Sequence, residues 1–257
     1  MDMTYFNAEK TRDNLVQWIK DWFEKNGPTS KAVIGISGGK DSTIVAALCA
    51  RAIGKERVLG VMMPNGYQND IDDSYKVCDA LGIQHITVNI KDAYNGIYNK
   101  VYCALNDYND CTQLSEQTTI NIAPRLRMTT LYAVSQTVGG RVVNTSNKSE
   151  AMTGYFTRWG DECGDMKPLI NLLKNEVVAI GLTMPEIPRD LVEKAPADGL
   201  TGKTDEDKIG FSYDALDNYL HGRGNGNDVD VDKKIESRIF STMFKRKPIS
   251  AFDPLTM

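Results

Sequence analysis

The sequence predicts an α/β protein with a doubly wound, mostly parallel sheet and helices on both faces. Three observations lead there. Short β-branched runs alternate with helical patterns through the first 150 residues, the signature of parallel βαβ units. The first of those runs ends in a glycine-rich turn that opens an alanine-rich helix. The 257 residues, 41% hydrophobic and 25% charged, have the make-up of an ordinary soluble globule, and at about 150 residues per domain they allow one or two domains.

Leu15, Trp18, Ile19 and Trp22 fall at i, i+3, i+4 and i+7, giving a first helix with one apolar stripe, stopped by Asn26-Gly27-Pro28. Ala32-Val33-Ile34-Gly35-Ile36 is a candidate buried strand, followed by glycines and a helix over 41–53. A second strand at 58–63 ends at Pro64-Asn65-Gly66. An acidic helix over 70–81 leads to a third strand at 85–90, a helix at 92–105 and a long helix over 115–138 that tolerates Pro124. Gly139-Gly140 caps it, and Arg141-Val142-Val143-Asn144-Thr145 reads as a fourth strand. Residues 154–164 set Tyr155, Phe156 and Trp159 among Gly, Asp and Arg, follow neither period, and read as a functional loop. Helices are expected at 173–181, 205–209, 212–220 and 231–246, with loops at 195–199 and 222–227.

Composition excludes several function classes. A formal net charge of −4 without a long basic block argues against a sequence-independent grip on nucleic acid. The opening Met1-Asp2-Met3-Thr4-Tyr5-Phe6 lacks the parts of a signal peptide, and no window approaches the roughly 18 apolar residues of a membrane span, so a soluble cytoplasmic protein is expected. Cys49, Cys78, Cys103, Cys111 and Cys163 are odd in number and scattered, and read as reduced thiols, several of them core fillers. With only His85 and His221 beside them, neither a zinc site nor Ser-His or Cys-His catalysis is expected.

The chemistry lies in Gly35-Ile36-Ser37-Gly38-Gly39-Lys40-Asp41-Ser42, where the first strand passes into a helix. Adjacent glycines let the backbone turn tightly and bring amide N–H groups against a ligand, and the helix N-terminus adds its own donors and positive dipole end. Ser37 and Ser42 add hydroxyls, Lys40 a charge, and Asp41 at the rim is placed to hold a Mg²⁺ that bridges phosphates. The pattern is neither the Walker loop nor the dinucleotide G-x-G-x-x-G.

Ser37-Gly38-Gly39-Lys40-Asp41-Ser42 resembles the pyrophosphate loop of the ATP pyrophosphatases, enzymes that split ATP between the α and β phosphates to adenylate a carbonyl oxygen. Later segments narrow the resemblance. Asn121-Ile122-Ala123-Pro124-Arg125-Leu126-Arg127 is similar to the N-I-x-x-R-x-R segment of the NAD synthetase family, and the stretch from Thr145 to Gly154-Tyr155-Phe156-Thr157 is similar to its segment ending G-[YF]-F-T. Asp161, Asp165, Pro168-Leu169, Lys174, Pro196-Ala197-Asp198, Gly210-Phe211-Ser212-Tyr213 and Lys245-Arg246-Lys247-Pro248 follow at that family's spacing. The resemblance covers nearly the whole chain and implies the adenine nucleotide alpha-hydrolase-like, Rossmann-like form of the fold, with residues 1–257 as a single synthetase domain.

It also implies roles. Asp41 and Glu150 would hold the catalytic Mg²⁺; Thr145 would touch ATP, Lys174 would pair with its phosphates, and Asp161 sits in the loop closing over the ammonia site. Arg125, Arg158 and Asp165 would contact the nicotinate-bearing substrate, and Phe244 and Lys245 would reach it from a partner subunit. Four positions depart from the family's pattern: Met62 stands where some members have an arginine, Arg158 where Lys is common, Ala197 where many have Ser or Thr at an ATP contact, and Phe244 where many have His. Tuned affinity rather than lost activity is expected. The implied reaction joins ATP, nicotinic acid adenine dinucleotide (deamido-NAD) and ammonia into NAD⁺ through an acyl-adenylate, releasing pyrophosphate and AMP. The synthetase pattern consumes the length, so free ammonia is the expected donor. Apolar residues on more than one side of the long helix (Ile120, Ile122, Leu126, Leu131, Val134, Val138) suggest a homodimer with the substrate site at its interface. A tRNA thiolase and a non-catalytic nucleotide-binding module are the rivals. The first would bring cysteine pairs or an RNA-binding appendage, and the second has no reason to keep Asp41, Glu150 and Lys174 together.

Overall fold

Asn7 opens the first helix by accepting a hydrogen bond from Lys10 N at 2.8 Å. In the computed structural model, which describes residues 6–110, 112–193, 205–226 and 228–252, that helix is α1 (Ala8–Asn26), ended by Gly27. Its inward face is centred on Ile19 and Phe23, and Trp18, expected on the stripe, is 44% exposed. Phe23, four residues beyond Ile19, takes its place.

The order continues β1 (Ala32–Gly35), α2 (Lys40–Ile53), β2 (Val58–Met62), α3 (Ile71–Leu81), β3 (Gln84–Thr87), α4 (Lys91–Asn109), α5 (Glu116–Thr137) and β4 (Arg141–Val142). It then runs through short helices: α6 (Lys148–Thr153), α7 (Lys174–Leu182), α8 (Arg189–Glu193), α9 (Asp205–Ile209), α10 (Tyr213–Leu220) and α11 (Val229–Ser241).

The four strands are parallel in the order β3-β2-β1-β4, with Val33 paired to Leu59 on one side and Val142 on the other. The chain walks outward from β1 through β2 to β3 and returns on the opposite side as β4. The topological switch therefore falls between β1 and β4, and open parallel sheets bind ligands at such a point, beyond the strands' carboxyl ends. Alternate strand residues go to opposite faces. Ile34, Ile36, Val58 and Met62 join Ile44 and Leu48 of α2 and Val177 and Ile180 of α7 in the main core. Val33, Leu59 and Val61 face Leu131 and Val134 of α5. Both faces are covered, as doubly winding requires. A separate cluster of Ile209, Phe211, Tyr213, Leu216 and Ile235 holds α9, α10 and α11 together.

Several boundaries differ from expectation for local reasons. The fourth strand has two residues rather than five, because the Asn144 side chain turns back to accept from Ser146 N at 2.9 Å. The third strand ends at Thr87, since Asn89 Oδ1 takes both Gly66 N and Lys91 N, and so starts α4. The last helix stops at Ser241, and a 3-10 turn (Met243–Lys245) carries the chain on. The short helices α6 and α8 were not expected. Cys49 and Cys78 are fully buried, and burial pushes their thiols up to about 12 and about 11 respectively, as befits core fillers. The loop expected at 195–199 and Cys111 lie outside the described residues. Among those described, no helix is long and apolar enough to cross a membrane.

Candidate active site

Gly38 has φ +76°, and a Cβ there would lie 2.9 Å from Asp73 Cβ and 3.2 Å from the Ser74 backbone nitrogen, so only glycine fits. Gly39 then starts α2 with no side-chain cap, which leaves the donors of a helix N-terminus to a ligand. The loop is tied to itself: Gly39 N donates to Ser37 Oγ (3.2 Å), while Ser42 Oγ and Thr43 Oγ1 donate to Gly39 O (3.0 and 2.8 Å). Ser37 and Ser42 thus shape the loop as well as facing the cleft. Gly35 and Ile36 continue β1 behind it, with Ile36 N on Val61 O.

Opposite the loop stand α6 and α7. Asn147 and Glu150 form a capping box at the start of α6, Asn147 Oδ1 accepting from Glu150 N (3.0 Å) and Glu150 Oε2 from Asn147 N (3.3 Å). Asn147 Nδ2 also reaches Asp41 Oδ1 at 3.4 Å. The first residue of α7, Lys174, is 5% exposed and sends Nζ to Asp41 Oδ2 at 2.6 Å and Glu150 Oε1 at 3.1 Å, 5.3 Å from the centre of the Tyr213 ring. Burial works against this ammonium, but Asp41 and Glu150 outweigh it and hold its pKa well above the ordinary value. Glu150 shows the converse: burial, with the Asp41 charge, outweighs Lys174 and lifts its carboxyl to about 7. Two carboxyl groups thus share one ammonium at the cleft floor.

The cleft encloses about 210 Å³ and is lined by Ser37, Gly39, Asp41, Ser42, Thr145, Ser146, Glu150, Tyr155 and Asp161. Of the residues expected at the site, the structure brings Asp41, Thr145, Glu150, Asp161 and Lys174 together around the loop, with Lys40 in the first turn of α2. Asp161 Oδ1 accepts from Thr157 N at 2.8 Å. The surrounding walls desolvate its carboxyl enough to raise its pKa although the side chain still meets the cleft's water.

The other expected residues lie outside this lining. Arg125 Nε donates to Arg158 O at 3.3 Å, and Arg158 stacks on Trp159, with Cζ 4.7 Å from the ring centre. Gly160 packs against Pro124, so the proline turn of α5 seats the 154–164 loop. Asp165 is engaged with the sheet, accepting from Val142 N (2.7 Å) and from the Tyr132 hydroxyl (3.4 Å). Lys245 Nζ donates to Gly154 O and Phe156 O of its own chain, at 2.7 and 2.6 Å, and Phe244 is exposed. Met62 is buried in β2 and points into the core. Ala197 lies outside the described residues.

Sequence reasoning missed what holds this wall in place. Arg246 donates to Ala151 O, Met152 O and Ile239 O, and Arg238 to Thr153 O, so two guanidiniums and Lys245 cover the carbonyl end of α6. It also missed Asn147, although N-x-x-E at 147–150 is a readable capping signal.

A family model described as NAD synthase matches residues 11–250. The chain belongs to the NAD synthase family. As a member it is a C–N bond-forming ligase, with the family's adenine nucleotide alpha-hydrolase-like fold. The NH(3)-dependent NAD(+) synthetase of Pyrococcus furiosus is 41% identical over 219 residues, covering 85% of this chain and 79% of that protein. That of Finegoldia magna is 36% identical over 250 residues, covering 96% and 97%. Among solved structures, an NMN synthetase from Francisella tularensis superposes with a TM-score of 0.82 at 32% identity, covering 97% of this chain and 99% of that one.

Proposed function

We propose that this chain amidates deamido-NAD to NAD⁺ with ammonia at the expense of ATP, as one synthetase domain over residues 1–257. The observation that carries the reading is the Lys174 ammonium held between Asp41 and Glu150 opposite an uncapped helix N-terminus. A donor-rich loop, a cation and two carboxylates suit a triphosphate with its counter-ion, and relatives named NH(3)-dependent NAD(+) synthetases over most of their length supply the reaction. The substrate carboxylate attacks the α-phosphorus of ATP and pyrophosphate leaves; ammonia then attacks the acyl-adenylate carbonyl, AMP leaves, and a proton goes to solvent.

The chain's own groups position and shield. The loop N–H groups and Lys174 take the growing charge on pyrophosphate, and the 154–164 loop, bearing Tyr155 and Asp161 on the cleft wall, screens the adenylate from water. Arg125 and Arg158, joined through the Arg158 carbonyl, and Asp165 would meet the nicotinate-bearing substrate, with Phe244 and Lys245 reaching it from a partner. Asp41 and Glu150 are hard oxygen donors of the kind a divalent ion takes, and Mg²⁺ is commonly held by one or two carboxylates plus phosphates and water. When bound, Mg²⁺ would neutralise the leaving pyrophosphate. Free thiols at Cys49, Cys78, Cys103 and Cys163, and the need for ATP, favour the cytoplasm.

The Francisella likeness favours one second reading, the same chemistry on nicotinic acid mononucleotide to give NMN. Incubation with ATP, Mg²⁺, ammonium and each deamido nucleotide in turn separates them. NAD⁺ with stoichiometric AMP and a higher kcat/KM for the dinucleotide is expected. Preference for the mononucleotide would select the second reading, and no AMP from either would overturn both.

The active form is proposed to be a homodimer. The 19-residue α4 buries none of its residues and exposes Ile97, Val101 and Leu105 at i, i+4 and i+8, and Ile120 of α5, the helix it packs on, is also exposed. Val101→Glu is expected to give the monomer mass in sedimentation, and a wild-type monomer with full activity at micromolar concentration would overturn the proposal.

A further inference from the structure

The contacts of α10 along the first turn of α7 form a set that the reaction above does not yet use. Tyr213, Asp217 and His221 follow one another at intervals of four, on one helix face. The Tyr213 ring lies beneath Lys174 Nζ, Asp217 Oδ2 accepts from Asn175 N at 3.0 Å, and His221 Nε2 lies 3.8 Å from Glu176 Oε1. Three successive residues of α7 thus meet two residues of α10 and His221, which caps its end.

The middle contact matters most. The residue before α7, Leu173, has no side-chain oxygen to cap the helix, so the first backbone donors must find acceptors elsewhere. They find a buried pair. Lys174 N donates to Ser149 Oγ at 3.0 Å, Ser149 Oγ donates to Asp217 Oδ1 at 2.6 Å, and the second Asp217 oxygen takes Asn175 N. Ser149 is fully buried and Asp217 is 3% exposed, so water cannot substitute for either. Ser149 also directly precedes Glu150. One carboxylate on α10 therefore holds the start of α7, which carries Lys174, and the residue beside Glu150 on α6.

We infer that Asp217 is a positioning residue for the amidation: through Ser149 and Asn175 it sets where the Lys174 ammonium sits between Asp41 and Glu150. It touches no reacting atom in this account, and the inference rests on the reading of the reaction given above. An Asn at 217 keeps the shape but offers a single acceptor oxygen to two donors, so one of them loses its partner.

The test is a double-mutant cycle of Asp217→Asn with Lys174→Met, read in kcat/KM for ATP per folded molecule and, separately, in ATP affinity by calorimetry without the nucleotide acceptor. Asp217→Asn alone is expected to lower kcat/KM by about 10- to 100-fold, the scale of a misplaced catalytic group. Combined with Lys174→Met it should cost little beyond Lys174→Met alone, because the two act as one unit. A lowered melting temperature with unchanged kcat/KM, or losses that multiply in the double variant, would overturn the inference. If Asp217→Asn does not fold, Ser149→Ala replaces it: it leaves the carboxylate on Asn175 N and removes only the relay to Lys174 N. Its loss, expected at about 3- to 10-fold, must show the same non-additivity. Should wild-type protein form no amide from either nucleotide, the reaction reading fails by itself. The calorimetric cycle still decides whether Asp217 sets Lys174.

Discussion

The wall of the cleft formed by β1 and α2 is made of backbone, whereas the facing wall, from α6 and α7, is made of side-chain ties across long stretches of chain. On the first wall a left-handed Gly38, a short helix start and hydroxyls bonded within six residues produce the anion cradle. On the second, Lys174 meets Asp41 across 133 positions in sequence, Ser149 meets Asp217 across 68, and Arg246 meets Met152 across 94. A backbone wall needs a strand, a turn and a helix in the right order. The facing wall needs the whole molecule folded around it, and it brings Lys174 and Glu150 to Asp41.

That contrast is most severely tested at Lys174. Lys174→Met leaves Asp41 and Glu150 facing each other without a cation, and the variant is expected to lose about 100- to 1,000-fold in kcat/KM, as when one charge-stabilising donor is removed. Its stability to urea should fall by about 3 kcal/mol, the lower end for a broken buried pair because both carboxylates still reach the cleft's water. Near-normal turnover would show that the side-chain wall is scaffolding rather than machinery.

Gly38→Ala attacks the other wall. Its Cβ would be placed at φ +76° and 2.9 Å from Asp73 Cβ, and strain of this kind costs about 1–3 kcal/mol. ATP affinity should fall about 30-fold, corresponding to the middle of that range, with the Lys174 wall intact. Arg246→Ala is expected to do the reverse on a smaller scale. It strips hydrogen bonds from the carbonyls of Ala151, Met152 and Ile239, costing about 1–2 kcal/mol, and should lower kcat several-fold with ATP affinity little changed. If both variants moved kcat and affinity in the same proportion, the two walls would not be separable.

The same division explains what was legible in the sequence. The β-branched runs at 32–36 and 58–63 and the glycines between them are local signals, and the strand, loop and helix they announce are where they were expected. The pairing of Asp41, Glu150 and Lys174 was reachable only through resemblance to the family, since no spacing rule links positions 41, 150 and 174. Ser149 and Arg246 fall in segments that resemble the family, but nothing local announces that Ser149 pairs with Asp217 or that guanidiniums cover the end of α6. A buried Asp on an amphipathic helix looks like any polar residue until the fold brings a second helix against it. Trp18 failed for a related reason: the apolar stripe predicted one helix face, and Phe23 filled that face in its stead.

The smallest expected effect lies outside the cleft, where α2 meets the segment before α8. Arg51 holds Glu186 with two hydrogen bonds, Nε to Oε1 at 2.5 Å and the outer guanidinium nitrogen to Oε2 at 2.7 Å, and both side chains are 30% exposed. Partial burial works to raise the Glu186 pKa, but the hydrogen bond and charge of Arg51 outweigh it, and the value falls below the ordinary 4.5. A carboxyl whose pKa is depressed on folding stabilises the folded state above its unfolded value, and that contribution is lost as pH falls through the folded one. Glu186→Gln is therefore expected to cost under about 1 kcal/mol at neutral pH, as an exposed pair should, and to leave kcat/KM unchanged. Followed by thermal denaturation from pH 7 downward, the gap between wild type and variant should close below the ordinary carboxylate value of 4.5. A gap that widened toward acid would put the sign of the pair wrong. A loss of turnover in this variant would mean that α2 transmits strain from its exposed end to Asp41, and the backbone wall would then depend on distant side chains as much as its neighbour does.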